Sequence, residues 1–597
     1  MPAERSDGAQ MIHFRNRLSG AVCLSLVLGA GLPAARAQDA LERNTPPRAE
    51  ATGSALAIGG EDYGSADPTP LGVDIRGITL IGRAEAVTPG AAPGIRIGRV
   101  PDAPTAALQA TLRPWLGRPL SLEEIARIQA AIAQVYRDAG FPFVSVTIPP
   151  QEVTTGTLHL RVIEFRMGDV RVEGAARSDP ARVRAGIRAP RGGRIDAPAL
   201  EQDLSWLNRI LNRRAEAVFA PGESPGLSDL KITLDEGRPV QVHLGAASTG
   251  ARDTGLERRY LGVDAWFPRL GDLTLAYQVT GSTDAWEEPA KLFPETGDFA
   301  LYASHSARLV LPTGPRQALE VAPNYVASRQ SGGPFITFEN TTLEVPVTWR
   351  SALSNIAPGL PGDIGIGIAA KRLHRKTFFG NLPIAEGDAR LIQLALDWSH
   401  RFPDALGSTA VSLSFKAGPA NGPGVSSPAS WAAFTNGRVA DAGHAYVGFS
   451  VQRQTRLGQG WTLSNSISGQ LAGKPLPDTE RMGLGGLYAT RGYFGDDASA
   501  DSGIVIRNEL RMPPFSPSAL TGHGGQDVMS PFLFLDAATG QDHASGETPG
   551  LASIGAGFDY DYGQTLTSSV VAAWALSDGA VTRADDFSLQ ARLTLRF

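Results

Sequence analysis

Phe587-Ser588-Leu589-Gln590-Ala591-Arg592-Leu593-Thr594-Leu595-Arg596-Phe597 is the final stretch of the chain. Phe587, Leu589, Ala591, Leu593, Leu595 and Phe597 share one face of an extended strand, and Ser588, Gln590, Arg592, Thr594 and Arg596 share the other, because successive side chains point to opposite sides. About ten residues, tilted, suffice for a strand to cross a bilayer. One strand cannot do so alone. Each unpaired N–H or C=O in hydrocarbon costs several kcal/mol, so the pattern implies a closed barrel. An amphipathic strand at the edge of a soluble sheet fits the same residues, and the rest of the chain decides between the two.

Residues 1–37 read as an export signal. Arg15 and Arg17 precede an apolar run from Ala21 to Leu32, and Ala35-Arg36-Ala37 supplies a small-x-small cleavage site. Met11 lies closer to the basic pair than Met1 and is an alternative start. No other segment reaches the roughly 18 apolar residues of a membrane helix. Cys23, the one cysteine, falls in the signal, so the mature chain has neither a disulfide nor thiol chemistry.

Composition agrees with a barrel. Charged residues make up 19%, and the 68 glycines exceed the usual share of about 7%. Apolar residues are spread by alternation rather than massed, which keeps the mean hydropathy near neutral. A net charge of −5 gives no footprint for nucleic acid. At 597 residues the chain needs more than one domain.

The pattern changes near residue 238. Before it, residues 72–164 and 165–237 read as two copies of a small α+β unit of order βααββ. In the first, Val73 to Ile81 is a strand, Leu108, Leu112 and Leu116 suggest a short helix interrupted near Pro114, and Ser121-Leu122-Glu123-Glu124 opens a second helix as a capping box. Ile125, Ile128, Ile132 and Val135 share one face of that helix, and Gly140 ends it. Strands Phe143 to Ile148 and Thr157 to Ile163 follow. The second copy runs through a strand Asp169 to Val172, a helix through Val183 and Ile187, a helix carrying Leu200, Leu204, Leu207 and Leu211, and strands Ala215 to Phe219 and Leu230 to Leu234. Arg182, Arg184, Arg188, Arg191 and Arg194 form a basic run that reads as a solvated face, with contact to a client or anionic lipid as the lesser alternative. Residues 38–71 are a Gly-, Ala- and Pro-rich linker, with Asp39 to Asn44 as its only helix material before Pro46-Pro47.

After residue 238 only alternating segments remain, such as Leu273 to Thr280, Ile364 to Ile368, Ile392 to Ser399 and Val411 to Lys416. Roughly 20–25 residues per strand with its connection gives about 14 to 18 strands, in even number.

Two βααββ units ahead of a barrel resemble the polypeptide-transport-associated (POTRA) domains of outer-membrane transporters. Gly140-Phe141-Pro142, Ile148-Pro149-Pro150-Gln151 and Gly156-Thr157-Leu158 resemble the first such domain of the two-partner secretion transporters, the haemolysin and filamentous-haemagglutinin secretion and activation proteins. Phe165 stands where that family has a glycine. Pro225-Gly226-Leu227-Ser228-Asp229-Leu230 resembles the final hairpin of the second domain. The resemblance implies 16 strands for residues 238–597, and an N-terminal helix that plugs the resting pore, for which residues 38–71 offer only Asp39 to Asn44.

Leu484-Gly485-Gly486, Thr490-Arg491-Gly492-Tyr493, Asp501-Ser502-Gly503 and Arg507-Asn508-Glu509-Leu510 resemble the long sixth extracellular loop of these barrels, whose Arg-Gly-Tyr tip folds into the lumen. A buried arginine needs a carboxylate partner. By the resemblance that partner is Asp536 of Phe534-Leu535-Asp536, although Ala538 replaces the glycine of the family's Phe-x-Asp-x-Gly motif and Gly540 lies two further on. Leu593, Leu595 and Phe597 would form the signal read by the barrel assembly machinery.

The resemblance implies a monomeric outer-membrane transporter of a Gram-negative bacterium, with its POTRA domains in the periplasm. They would catch an unfolded exoprotein there, and the barrel would pass it outward without ATP. Its other partners would be outer-membrane lipid and, during biogenesis, periplasmic chaperones. The sequence has no His-Glu-x-x-His, Gly-x-Ser-x-Gly or Walker motif, so no catalytic, cofactor or metal residue is assigned and no enzyme is expected. His159, inside a strand, reads as a packed or surface residue rather than a metal ligand. Two alternatives stand beside secretion: a barrel assembly factor, for which two POTRA units are few, and a passive porin or receptor, which has no use for them.

Overall fold

The computed structural model describes residues 42–47, 56–57, 67–101, 105–141, 143–224, 226–294, 298–520, 522 and 525–597. The expected signal over residues 1–37 lies outside them.

The first α+β unit contains β1 (Gly77–Ile81), β2 (Gly94–Ile97), α1 (Thr105–Leu112), α2 (Leu122–Asp138), β3 (Val144–Thr147) and β4 (Thr157–Glu164). Its sheet order is β2-β1-β4-β3, with β1 parallel to both neighbours and β3 antiparallel to β4. Ser121 Oγ accepts the Glu124 N–H at 3.1 Å and starts α2. Gly140, at φ 84°, turns the chain out of it. Ile125, Ile128, Ile132 and Tyr136 pack on Ile78, Leu80, Leu158 and Leu160. The expected βααββ order therefore gains the edge strand β2. Four residues between Gly and Pro turns are too few to show a period in sequence.

The second unit contains β5 (Arg166–Glu173), α3 (Pro180–Ala185), α4 (Ala197–Leu207), β6 (Arg213–Pro221) and β7 (Leu227–Glu236). Its sheet order is β6-β7-β5, and Leu56–Ala57 extends it by pairing parallel to β6 beside Ala217 and Val218. That corrects the reading of residues 38–71 as linker with at most a helix. No helix forms over residues 42–47 either, and residues 39–41 of the expected helix lie outside the described residues. At the junction of the units, the Phe165 N–H donates to the Phe143 carbonyl at 2.9 Å, and the Phe143 and Phe219 rings are 4.1 Å apart.

Sixteen antiparallel strands then close a barrel. They are β8 (Val240–Ala247), β9 (Arg258–Phe267), β10 (Leu273–Gly281), β11 (Tyr302–Gly314), β12 (Gln317–Val321 and Asn324–Ser331), β13 (Ile336–Ala352), β14 (Asp363–Phe379), β15 (Leu382–Asp404), β16 (Gly407–Gly418), β17 (His444–Gly458), β18 (Trp461–Ala472), β19 (Ser502–Arg511), β20 (Asp527–Gln541), β21 (Gly550–Tyr562), β22 (Leu566–Ala575) and β23 (Phe587–Arg596). Ala322-Pro323 interrupts β12, because proline has no N–H for the ladder, and both halves still pair with β11 and β13. Leu244, Leu261, Ile366, Leu396, Leu535 and Leu589 face outward and exposed, whereas Glu320, Glu344, Lys371 and Asp536 are buried inside. That inversion is what a lipid solvent requires. β23 closes on β8 from Arg592–Ala247 to Arg596–His243, and Phe597 exchanges backbone hydrogen bonds with Val242 at 2.9 and 3.2 Å.

The second unit rests on the barrel turns at its own end. Arg188 and Arg316 both reach Asp203 at 2.9 Å, and Arg188 donates to Ser354 Oγ at 3.0 Å. Trp206 donates to Asp363 at 3.0 Å, and Arg182 reaches Asp272 at 3.4 Å. Burial pushes the Asp203 carboxyl above its ordinary value against the pull of the two arginines. The basic run is thus more than a solvated face, since Arg182 and Arg188 fix the unit to the barrel.

Candidate functional site: two segments inside the barrel

The connection from β18 to β19, residues 473–501, is the sixth loop at the end opposite the α+β units, and it folds inward. Met482–Gly483 and Ser499–Ala500 pair as two short strands. Leu484, Ala500, Val505, Ala538, Leu551 and Ala575 form a small apolar core between loop and wall. Ala538, which replaces the expected glycine, is one of its members. Gly540 supplies the close approach instead, because a Cβ there would lie 2.4 Å from that of Ala500.

At the loop tip, Arg491 is 1% exposed. Its Nε and one terminal nitrogen donate to the two oxygens of Asp536 at 2.6 and 2.7 Å, and its other terminal nitrogen donates to Glu509 at 2.5 Å. The guanidinium lies over the Phe534 ring at 3.8 Å. Asp536 and Phe534 both face inward on β20, as period two demands, while Leu533 and Leu535 face out half exposed. Arg511 joins Glu509 at 3.1 Å and Asp559 at 2.7 Å, and Arg507 lies 3.9 Å from Asp536. Three cations thus face three carboxylates. Removing one member of such a buried set costs about 3–5 kcal/mol, because its partner is left unpaired.

Gly492 adopts φ 92°, and a Cβ there would stand 2.9 Å from that of Ala573. Its N–H donates to Gln590 Oε1 at 3.2 Å, and Gln590 Nε2 returns a bond to the Tyr493 carbonyl at 3.1 Å. The Tyr493 hydroxyl lies 2.7 and 2.8 Å from the carbonyls of Ala552 and Ser577. Asp497 accepts from the backbone N–H groups of Phe494, Val581 and Thr582 at 2.7 to 2.8 Å. Arg491, Gly492, Tyr493, Phe534 and Asp536 are therefore gathered at one place. Leu593 and Phe597 lie exposed on the outer face of β23 and its end, with Leu595 on the same face. The sequence reading did not single out Glu509 as a partner, although its period-two position beside Arg507 and Arg511 is visible in the chain.

A second segment enters from the other terminus. Residues 42–47 run through the lumen without helix or strand. Glu42 meets Arg258 of β9 at 2.8 Å. Arg43 donates twice to Glu344 of β13 at 2.6 Å, and once to the Thr479 carbonyl of the sixth loop at 2.6 Å. Asn44 donates to the Tyr302 hydroxyl at 2.8 Å, and that hydroxyl donates to the Glu42 carbonyl at 2.7 Å. Arg308 donates to the Pro46 carbonyl at 2.8 Å. Lys371 lies 3.4 Å from Glu344 and also pairs with Glu480 of the loop, so both segments share one charge cluster.

Among the described residues no group of histidine, cysteine and carboxylate side chains has the arrangement of a metal site, and no helix is long and apolar enough to cross a membrane.

Residues 363–560 match the haemolysin secretion/activation protein ShlB/FhaC/HecB family, and residues 94–164 match its ShlB-type POTRA domain. The heme/hemopexin transporter protein HuxB of Haemophilus influenzae strain 86-028NP is 22% identical over 512 residues, covering 79% of this chain and 81% of its own. The outer membrane transporter CdiB of Escherichia coli O6:K15:H31 is 26% identical over 168 residues, which is 26% of this chain and 28% of that protein. The matched segment thus spans little more than a quarter of that relative. The solved structure of CdiB from Escherichia coli has the same fold, with a TM-score of 0.62 at 17% identity over 89% of this chain and 92% of the other. With α+β units at one end of a sixteen-stranded barrel, the chain has the fold of an outer-membrane transporter of Gram-negative bacteria with periplasmic POTRA domains, and over residues 94–164 and 363–560 it is similar to the haemolysin secretion/activation family.

Proposed function

We propose that this protein exports an unfolded exoprotein across the outer membrane, the two POTRA units catching the client and the barrel passing it. The observation that carries the reading is Leu56–Ala57 lying parallel to β6, because that sheet edge already takes an extended strand from outside its own unit. Strand addition of this kind binds through backbone hydrogen bonds and makes little demand on sequence, which suits an unfolded client. Among the described residues Arg188, Arg316 and Asp203 hold the same unit to the barrel mouth, so a captured strand starts beside the lumen. The lid tip around Arg491 would keep the sixth loop folded inward, and folding of the client outside would prevent its return. Leu593, Leu595 and Phe597 would serve biogenesis by the assembly machinery.

Co-expression with a secreted exoprotein of the two-partner type tests the reading. The client should appear in the medium with the intact transporter and stay in the periplasm without it. Equal secretion in both strains would refute export, and a general loss of outer-membrane proteins on deletion would favour an assembly factor.

A further inference from the structure

Residues 282–294, the first part of the connection from β10 to β11, lie on the outside of the barrel, whereas the sixth loop folds into the lumen. Strand register puts Gly281, Ala303 and His305 on the same face as Leu244 and Leu261, the face turned to lipid. The short helix α5 (Thr283–Glu287) and the turn Pro289–Leu292 sit directly on it. A Cβ at Gly281 would stand 2.8 Å from Leu292 Cδ2 and 2.9 Å from the Ala285 Cβ, so glycine is what makes room for the helix. Ala285, Leu292, Ala300 and Ala303 are buried together there, with Val279 and Trp286 packed on them. Two residues along β11 from Ala303, His305 pins the segment: its Nε2 donates to the Leu292 carbonyl at 2.7 Å. A carbonyl only accepts, so the proton sits on Nε2, and in the neutral ring Nδ1 accepts from the Tyr277 hydroxyl at 2.7 Å.

We infer that residues 282–294 form an interfacial foot, a surface that docks into the outer leaflet of the membrane where acyl chains meet headgroups. The occupant is lipid because the foot continues the lipid-facing wall without a break. The Phe293 ring, 55% exposed, lies 5.0 Å from the His305 ring, and Tyr277 and Tyr325 flank that histidine at 6.2 and 6.4 Å on the same face. Such rings collect where hydrocarbon gives way to headgroups. The attraction is apolar. Asp284, Glu287 and Glu288 outnumber Lys291, which turns back to Glu288 at 3.0 Å, and the neighbouring Arg259 faces Glu257 at 3.7 Å. The segment therefore has no surplus of cations with which to hold a phosphate. An imidazole at a lipid-facing position is costly unless both nitrogens are bonded, and the Leu292 carbonyl supplies the bond that the wall alone does not. The wall thus holds the foot down. This inference rests on the barrel's place in the outer membrane and is independent of export.

Spin labels on the full chain in phosphatidylcholine vesicles test this. Cys23 is the one cysteine, so in a Cys23→Ser background a nitroxide on Phe293→Cys or Glu287→Cys reports a single position. Collision with oxygen, which partitions into hydrocarbon, is compared with collision with a water-soluble nickel chelate. The oxygen-to-nickel ratio at position 293 should be severalfold higher than at position 287. His305→Phe keeps a ring but has no N–H to donate, and Gly281→Leu fills the place of α5. Each should lower the ratio at 293 toward that at 287. Heat-modifiable mobility on gels establishes that each variant is folded, and Gly281→Leu carries this arm alone if His305→Phe is not. Adding phosphatidylglycerol should leave the ratio at 293 unchanged. Equal ratios at 293 and 287, or a ratio at 293 that both substitutions leave unaltered, overturns the foot. A ratio that rises only with anionic lipid overturns its apolar character.

Discussion

The POTRA units and the barrel solve opposite burial problems with the same chain. In the first unit Ile128, Ile132, Leu158 and Leu160 are buried together and its ion pairs, such as Arg127–Glu123, lie outside. In the barrel Leu535 and Leu589 are exposed outward, while Arg491, Glu509 and Asp536 are buried. Water is the solvent of the first region and lipid of the second, so apolar surface leaves the solvent in one and meets it in the other. The lesson concerns what each region can lose. An aliphatic side chain removed from the unit leaves a cavity, whereas one removed from the outer barrel wall leaves lipid to fill the space. A charge removed from the barrel interior leaves its partner stranded.

The largest effect should therefore come from the lid. Arg491→Ala should nearly abolish export while the barrel still inserts, because Asp536 and Glu509 lose a shared cation. Asp536→Ala should reproduce it, and the double variant should be little worse than either, as expected of one buried unit. Arg491→Asp with Asp536→Arg should rescue little. The new aspartate would face Glu509, and the planar fork would be presented from the wrong side. Secreted client is the readout, and wild-type levels from Arg491→Ala would break the contrast at its strongest point.

Next comes the apolar core of the first unit. Ile128 is wholly buried on α2, so Ile128→Ala should cost about 2–5 kcal/mol. Loss should show as protease cleavage within residues 72–164 at a temperature where the barrel keeps its folded mobility on gels. Joint collapse of both regions would show that they do not fold as separate cores.

A pair of neighbours on β20 sharpens the comparison further. Phe534 is 3% exposed beneath the Arg491 guanidinium, whereas Leu535 is 50% exposed on the lipid side. Phe534→Ala should reduce export severalfold, while Leu535→Ala should leave export and barrel stability within error. Equal effects would mean that the two faces of β20 are not chemically distinct.

How much of this was legible in sequence follows the same divide. Period two reports which side a strand residue takes, so it separates Phe534 and Asp536 from Leu533 and Leu535 without a structure. The capping box at Ser121 marks the start of α2, because its signal lies within four consecutive residues. The edge strand β2 was invisible, since Gly94-Ile95-Arg96-Ile97 is specified by β1 beside it and not by its own pattern. The path of residues 42–47 was equally hidden. Glu42, Arg43 and Asn44 are held by Arg258, Glu344 and Tyr302, hundreds of residues away, and nothing local distinguishes them from a linker. Arg188 looked like one of five surface arginines because its partner Ser354 lies in a barrel turn.

The smallest effect should come from a histidine on the ordinary side of the divide. His159 lies on β4 between the core residues Leu158 and Leu160, points to the opposite face, and is 4% exposed. Its backbone N–H and carbonyl are both bonded by the Gln151 side chain at 2.7 Å, which fixes the strand around it. Burial lowers the pKa of the imidazole below its ordinary value. The folded unit therefore binds this proton less tightly than the unfolded chain does. Stability is complete above the ordinary histidine value of about 6.5 and declines as pH falls through it. The periplasmic units should lose thermal stability between pH 7.5 and pH 5.5, and His159→Gln, which cannot titrate, should lose less over the same interval. Protease resistance of residues 72–164 in the full chain, followed against temperature at the two pH values, reads the difference. Identical pH dependence in the two proteins would show that another group sets the acid sensitivity of this unit.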